Sequence, residues 1–244
     1  MPSNASKPAP PIPMPYPRPS AYGHRREFLR LTAALMLSAW LRPAQATTPN
    51  EAPEVKLIVF GDSLVAGFGL PAEAAFPAVL EKTLRTEGYD VKIVNAGVSG
   101  ETSSGGLARL DWTLADGADG VILELGANDM LRGIDPNVTE AALDAILAEL
   151  KARNIKTLIA GMKATPSLGQ DYKTRFDAIY PDLATKYGVP LYPFFLEGVV
   201  GDPTLKLPDG LHPSSAGVER IVQAILPDIR TFIEKLGLKA QPDR

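Results

Sequence analysis

The 244-residue chain has no cysteine and only two histidines, His24 and His212. The first absence excludes disulfides, thiolate nucleophiles, iron–sulfur clusters and cysteine-based zinc sites, and two histidines are too few for a three-histidine metal centre. No basic run lies outside the first thirty residues and the formal net charge is -3, so there is no electrostatic footprint for nucleic acid. What is present is a globular composition, 45% hydrophobic and 22% charged, in a length that suits one domain or two small ones. Small molecules are therefore the expected partners.

The N-terminus separates from the rest. Residues 1–20 hold eight of the 23 prolines, which removes backbone donors and leaves no apolar periodicity, so this stretch is expected to be disordered. Residues 21–46 then run from a charged segment (His24-Arg25-Arg26-Glu27-Phe28-Leu29-Arg30) through the mostly apolar Leu31–Leu41 to Ala44-Gln45-Ala46. That is the order of a signal peptide. Its apolar run of eleven residues is well short of the ~20 a spanning helix needs. Arg25-Arg26 followed by Phe28-Leu29 resembles the twin-arginine consensus, with His24 in place of Ser or Thr and Arg30 in place of Lys; a general secretory signal containing two arginines is the alternative. Either route predicts a periplasmic or secreted protein, with cleavage after Ala46 and a short linker over 47–53. No cysteine exists to carry a lipid anchor.

From residue 54 to 244 the pattern is that of one α/β domain. Val55–Phe60, Val91–Asn95, Val121–Leu125, Lys156–Ala160 and Leu191–Phe194 are continuous β-branched or aromatic runs, as strands buried on both faces should be. Amphipathic segments separate them: Phe76–Glu87 stops at Gly88, Asn137–Lys151 starts with a capping-box pair (Asn137, Glu140), Tyr172–Tyr187 precedes Gly188, and Ser215–Leu236 is expected to bend at Pro227. This alternation implies a five-stranded parallel sheet with helices on both faces.

In such a sheet, ligands bind beyond the carboxyl ends of the strands. The loops there carry Gly61-Asp62-Ser63-Leu64, Asn95-Ala96-Gly97-Val98-Ser99, Gly126-Ala127-Asn128-Asp129 and Asp209-Gly210-Leu211-His212-Pro213. A serine becomes a useful nucleophile when a base takes its proton, and histidine has the unperturbed pKa suited to that task. Asp209 stands three residues before His212 and can fix its tautomer. Backbone N–H groups at Ser63 and Gly97, with the Asn128 amide, can converge on a developing oxyanion.

These four blocks, in this order, resemble those of the GDSL, or SGNH, hydrolases, over about Glu54 to Leu236. The phrases Asn95–Thr102 and Leu131-Arg132-Gly133 are most similar to the bacterial thioesterase I, lysophospholipase and arylesterase branch. The resemblance implies a three-layer, flavodoxin-like fold. It also implies Ser63 as nucleophile, His212 as base and Asp209 as its partner, with Ser63, Gly97 and Asn128 as the oxyanion hole. No cofactor and no metal are implied. The expected substrate is a small-molecule carboxylic ester or thioester, such as an aryl ester, a short to medium acyl ester or a lysophospholipid. The protein is expected to act as a monomer, without nucleic acid and without a stable membrane anchor.

Other readings compete with this one. A carbohydrate O-acetyl esterase, or a non-catalytic periplasmic binding domain, would use the same fold. Ser63 has an alternative role as a helix cap, and Asp62 with Asp129 as the carboxylate pair of a glycosidase, which would leave His212 and Asn128 idle. Trp112, Met130, Met162 and Phe194 belong either to the core or to an acyl pocket. Gly67-Phe68-Gly69-Leu70-Pro71-Ala72 fits a dinucleotide-binding spacing with Asp90 downstream, but it does not follow directly on a strand, and Asp90 precedes the second strand where a ribose-binding acid should follow it. The six Lys or Arg and one acid of residues 1–46 leave 19 basic and 27 acidic residues beyond them, so the exported part carries a net charge of -8 and one histidine.

Overall fold

A computed structural model describes residues 54–241. The Pro-rich stretch, the export signal and the linker up to residue 53 lie outside the described residues. Five strands form one parallel sheet: β1 (Val55–Gly61), β2 (Val91–Gly97), β3 (Gly120–Leu123), β4 (Lys156–Ala160) and β5 (Leu191–Tyr192), in the spatial order β2-β1-β3-β4-β5. Strands β1 and β3 are buried along almost their whole length, in keeping with their unbroken apolar sequences. At the edge, β2 buries Val91 but exposes Lys92 and Asn95, so the expectation of burial on both faces does not hold there.

Helices flank the sheet in two groups. α2 (Phe76–Thr86) packs with α7 (Ser215–Lys235), while α5 (Pro136–Ala152) packs with both α3 (Ser103–Thr113) and α6 (Gln170–Tyr187). α7 runs unbroken through Pro227. The N-cap of α5 lies two residues earlier than its sequence suggested: Asp135, not Asn137, is the N-cap, its carboxylate accepting the Asn137 N–H at 2.9 Å, with Pro136 as the first helical residue. No helix among the described residues is long and apolar enough to cross a membrane.

The chain leaves β1 for β2 on one side and returns to β3 on the other, so the order reverses between β1 and β3. A crevice opens at such a reversal, outside the carboxyl ends of the strands. Gly61 ends β1, and two short helices begin just past the strand ends: α1 (Ser63–Ala66) after β1 and α4 (Ala127–Leu131) after β3.

Candidate active site

The turn after β1 is tightly enclosed. A Cβ on Gly61 would lie 2.4 Å from the Val65 side chain and 2.6 Å from the Glu124 carbonyl oxygen, so only glycine fits where the strand turns into α1. Asp62 caps α1, its Oδ1 accepting the Leu64 N–H at 3.0 Å. Ser63 is thereby relieved of the capping role. As the first helical residue it has no intrahelical acceptor for its own N–H.

The Ser63 hydroxyl lies 2.9 Å from Nε2 of His212, and Nδ1 of His212 lies 2.7 Å from Oδ2 of Asp209. The loop that presents His212 is fixed by its own backbone. The Leu207 N–H donates to the His212 carbonyl at 2.7 Å, and the Ser214 N–H to the Leu205 carbonyl at 2.8 Å. Asp209 Oδ1 accepts the N–H groups of Leu211 and His212 at 2.9 and 3.0 Å. These backbone donors, with the imidazole, hold the Asp209 carboxyl down at about 2, so it is ionised throughout the neutral range. Phe68 lies against the His212 ring with 4.5 Å between centroids and limits its rotation. Gly67, the C-cap of α1 at φ 79°, makes the turn that brings Phe68 there, which is what the glycines of the dinucleotide-like spacing serve.

Asn128, in the first turn of α4, donates an amide N–H to Asp62 Oδ2 at 3.0 Å. A side-chain amide has two N–H groups, so one can be anchored while the other points into the crevice. Burial pushes the Asp62 carboxyl up to about 6, opposed by the Leu64 and Asn128 donors. Asp129 is fully buried and accepts from the Ser103 N–H (2.8 Å), the Ser103 hydroxyl (2.5 Å) and the Thr139 hydroxyl (3.1 Å), tying α3, α4 and α5 together. Asp62 and Asp129 therefore hold together the helices that surround the site. Neither lines the cavity, which removes the glycosidase pairing.

The structure does not bring Gly97 to the crevice. Its N–H donates to Oδ1 of Asn95 at 3.0 Å, and a Cβ there would lie 2.2 Å from the Ala66 nitrogen. Gly97 lets α1 lie against β2. Gly100, three residues on, does line the crevice; it has φ 81°, no described residue accepts its N–H, and its carbonyl accepts from Arg132 Nη2 at 2.6 Å. Two residues with no catalytic pattern in the sequence also build the site. Arg109 chelates Glu101 and donates to the carbonyls of Gly61 (3.2 Å) and Ala96 (2.8 Å), joining the ends of β1 and β2. Glu124 lies fully buried under the Ser63 turn, with Oε2 3.4 Å from the Asp62 nitrogen and Oε1 without a hydrogen-bond partner among the described residues.

Beside Ser63 opens a cavity of about 850 Å³. Met130, Met162 and Phe194 line it, with Leu64, Phe68 and Leu196. Trp112 belongs neither to it nor to the core and is 79% exposed. The arrangement supplies an alcohol within reach of a base, a carboxylate that orients the base, and hydrogen-bond donors near the alcohol. Those are the requirements of acyl transfer.

Residues 59–220 match the model of the GDSL-like lipase/acylhydrolase family. The esterase TesA of Pseudomonas aeruginosa is 37% identical over 201 residues, covering 82% of this chain and 99% of that protein. The Escherichia coli K12 protein named thioesterase 1/protease 1/lysophospholipase L1 is 42% identical over 159 residues, covering 65% of this chain and 75% of its own length. Among solved structures, AlinE4, described as an SGNH-hydrolase family esterase, is 44% identical and superposes with a TM-score of 0.64, covering 74% of this chain and 97% of its own. The chain belongs to the GDSL-like lipase/acylhydrolase family.

Proposed function

We propose that this carboxylic ester hydrolase works through an acyl-enzyme on Ser63. The observation that carries the reading is the continuous hydrogen-bond chain from the Ser63 hydroxyl through His212 to Asp209. His212 Nε2 takes the hydroxyl proton as Oγ attacks the carbonyl carbon, and Asp209 stabilises the imidazolium. The tetrahedral oxyanion is held by the Ser63 N–H, the free amide N–H of Asn128 and the Gly100 N–H. Gly100 replaces Gly97 in this set because the Gly97 N–H is taken by Asn95. Collapse expels the alcohol or thiol, which leaves with the proton from His212. Water then attacks the acyl-serine and gives its proton to the same nitrogen, which passes it to the departing Ser63 Oγ as the acid is released.

The apolar side chains beside Ser63, among them Leu64, Phe68, Met130, Met162 and Phe194, support aryl esters and short to medium acyl esters or thioesters as substrates. The relatives' names, esterase and thioesterase/lysophospholipase, point the same way. Export by residues 21–46 would place the enzyme in the periplasm or outside the cell; N-terminal sequencing of the exported protein is expected to begin at Thr47. A fluorophosphonate probe should label the intact protein and fail to label Ser63→Ala. Labelling that survives this substitution would remove Ser63 from the nucleophile position.

A further inference from the structure

The charged side chains that line the 850 Å³ cavity are Lys163, Lys173 and Lys206, with no acid among them. This runs against the composition, since acids outnumber bases 27 to 19 beyond residue 46. The three lysines are not equivalent. Lys173 is ion-paired with Asp177, and Lys206 Nζ donates to the Val200 carbonyl at 3.1 Å. Lys163 has no carboxylate within ion-pair distance among the described residues; its ammonium lies 5.3 Å from the centre of the Phe194 ring, on an otherwise apolar wall. Its neighbours Met162 and Ala164 are buried, and the Ala164 N–H donates to Asp177 at 2.7 Å, so the backbone that carries Lys163 is fixed.

The topology gives the spacing. Ser63 follows β1 by two residues and Lys163 follows β4 by three, with β3 alone between those strands. Two inter-strand spacings put the strand ends about 10 Å apart. Gly100 and Asn128 follow β2 and β3, so a carbonyl held at Ser63 leaves the rest of the substrate free to pass over Met162 and Phe194 toward Lys163.

We propose that Lys163, with Lys206 lining the same cavity, is an anion-recognition site that selects acyl substrates carrying a negative charge remote from the scissile carbonyl. This rests on the esterase reading and adds a preference by charge. The ammonium would meet a phosphate or a carboxylate, borne either by the alcohol part or by the far end of the acyl chain.

Two matched substrate pairs test it with the full exported protein. Myristoyl lysophosphatidylglycerol against monomyristoylglycerol puts the charge on the alcohol side, and mono-4-nitrophenyl suberate against 4-nitrophenyl octanoate puts it on the acyl side. In at least one pair the anionic member should have the higher kcat/KM. That ratio should fall about fivefold in Lys163→Gln, invert in Lys163→Glu, and shrink with added salt. The pair that responds identifies which side carries the charge. Because Lys163 is exposed, neither variant should lose the fold, which circular dichroism checks. Ratios unchanged by Lys163→Glu in both pairs would overturn the proposal while leaving the esterase reading intact. Failure of the wild type to hydrolyse any of the four would overturn both.

Discussion

Asp62 and Asn128 are joined by a 3.0 Å hydrogen bond between two loops that begin at the ends of neighbouring strands, β1 and β3. The same carboxylate caps the helix that starts at Ser63. One buried side chain therefore sets both the nucleophile turn and the amide opposite it. Replacing it with an amide keeps the cap but turns an N–H toward the Asn128 N–H group. We expect Asp62→Asn to fold and to lose about 100-fold in kcat with a much smaller change in KM, as loss of an oxyanion donor does. Steady-state kinetics on a nitrophenyl ester, with circular dichroism as the folding control, checks it; a KM effect alone would place Asp62 outside the transition-state machinery.

Asp209 holds His212 through one oxygen and its own loop through the other. Asp209→Asn retains a carbonyl oxygen for the two backbone donors, so the loop should persist, while the imidazole loses its counter-charge and correct tautomer. A fall in kcat of up to about 10⁴ is expected with little change in thermal midpoint. The sign of the pH effect follows from the lowered carboxyl. Its contribution to loop stability is present above the ordinary value of 3.8 and is lost only as pH falls through about 2. The difference in midpoint between wild type and variant should therefore shrink as pH falls from 3.8 toward about 2. A difference that stays constant across that window would mean that the carboxyl is not held low.

Much of this arrangement was legible in the sequence, because the buried strands are unbroken apolar runs and the nucleophile and base lie in short blocks directly after or between them. α3 was not legible. Its sequence opens Ser-Ser-Gly-Gly, poor in helix formers, and it is held in place by the Ser103–Asp129 bonds and by Gly106, where a Cβ would meet Leu125 at 2.5 Å. The start of α5 was misplaced by two residues because Asn137 and Glu140 have capping-box spacing, yet Asp135-Pro136 satisfies the first turn earlier. Arg109 and Glu124 carry no local signal. The strand-end carbonyls that Arg109 joins and the Asp62 turn above Glu124 belong to other elements, so the local sequence does not report these roles.

The two glycines of the β2 loop show the same limit and can be told apart by experiment. Gly97→Ala would push a methyl into the backbone of α1, 2.2 Å from the Ala66 nitrogen, a clash that nothing flexible can relieve. Destabilisation of about 2 kcal/mol or more is expected, seen as a lower denaturation midpoint. Gly100→Ala faces open space apart from the Arg132 guanidinium at 3.7 Å and has only its positive φ to strain it, about 1 kcal/mol. It should fold and lose turnover, since its peptide would shift. The reverse pattern, with a stable, slow Gly97→Ala and an active Gly100→Ala, would return the donor role to Gly97.

Glu124 offers the last prediction. Burial, and then the charge of Asp62, keep its carboxyl protonated well above the ordinary range. No cation is paired with either carboxyl among the described residues, and Asp62 already accepts from two N–H groups, so Glu124 is the better holder of a proton. A folded state that keeps a proton its unfolded chain would release becomes less stable as pH rises. That loss begins near 4.5, the ordinary value for the side chain, and continues until the raised value is passed. Glu124→Gln keeps the volume, and its amide N–H can donate to Asp62 where the acid proton would. The variant should match wild type near pH 4.5 and become progressively more stable than wild type toward pH 9. Urea midpoints across that range measure it, and parallel curves for the two proteins would show that no proton is held beneath Ser63.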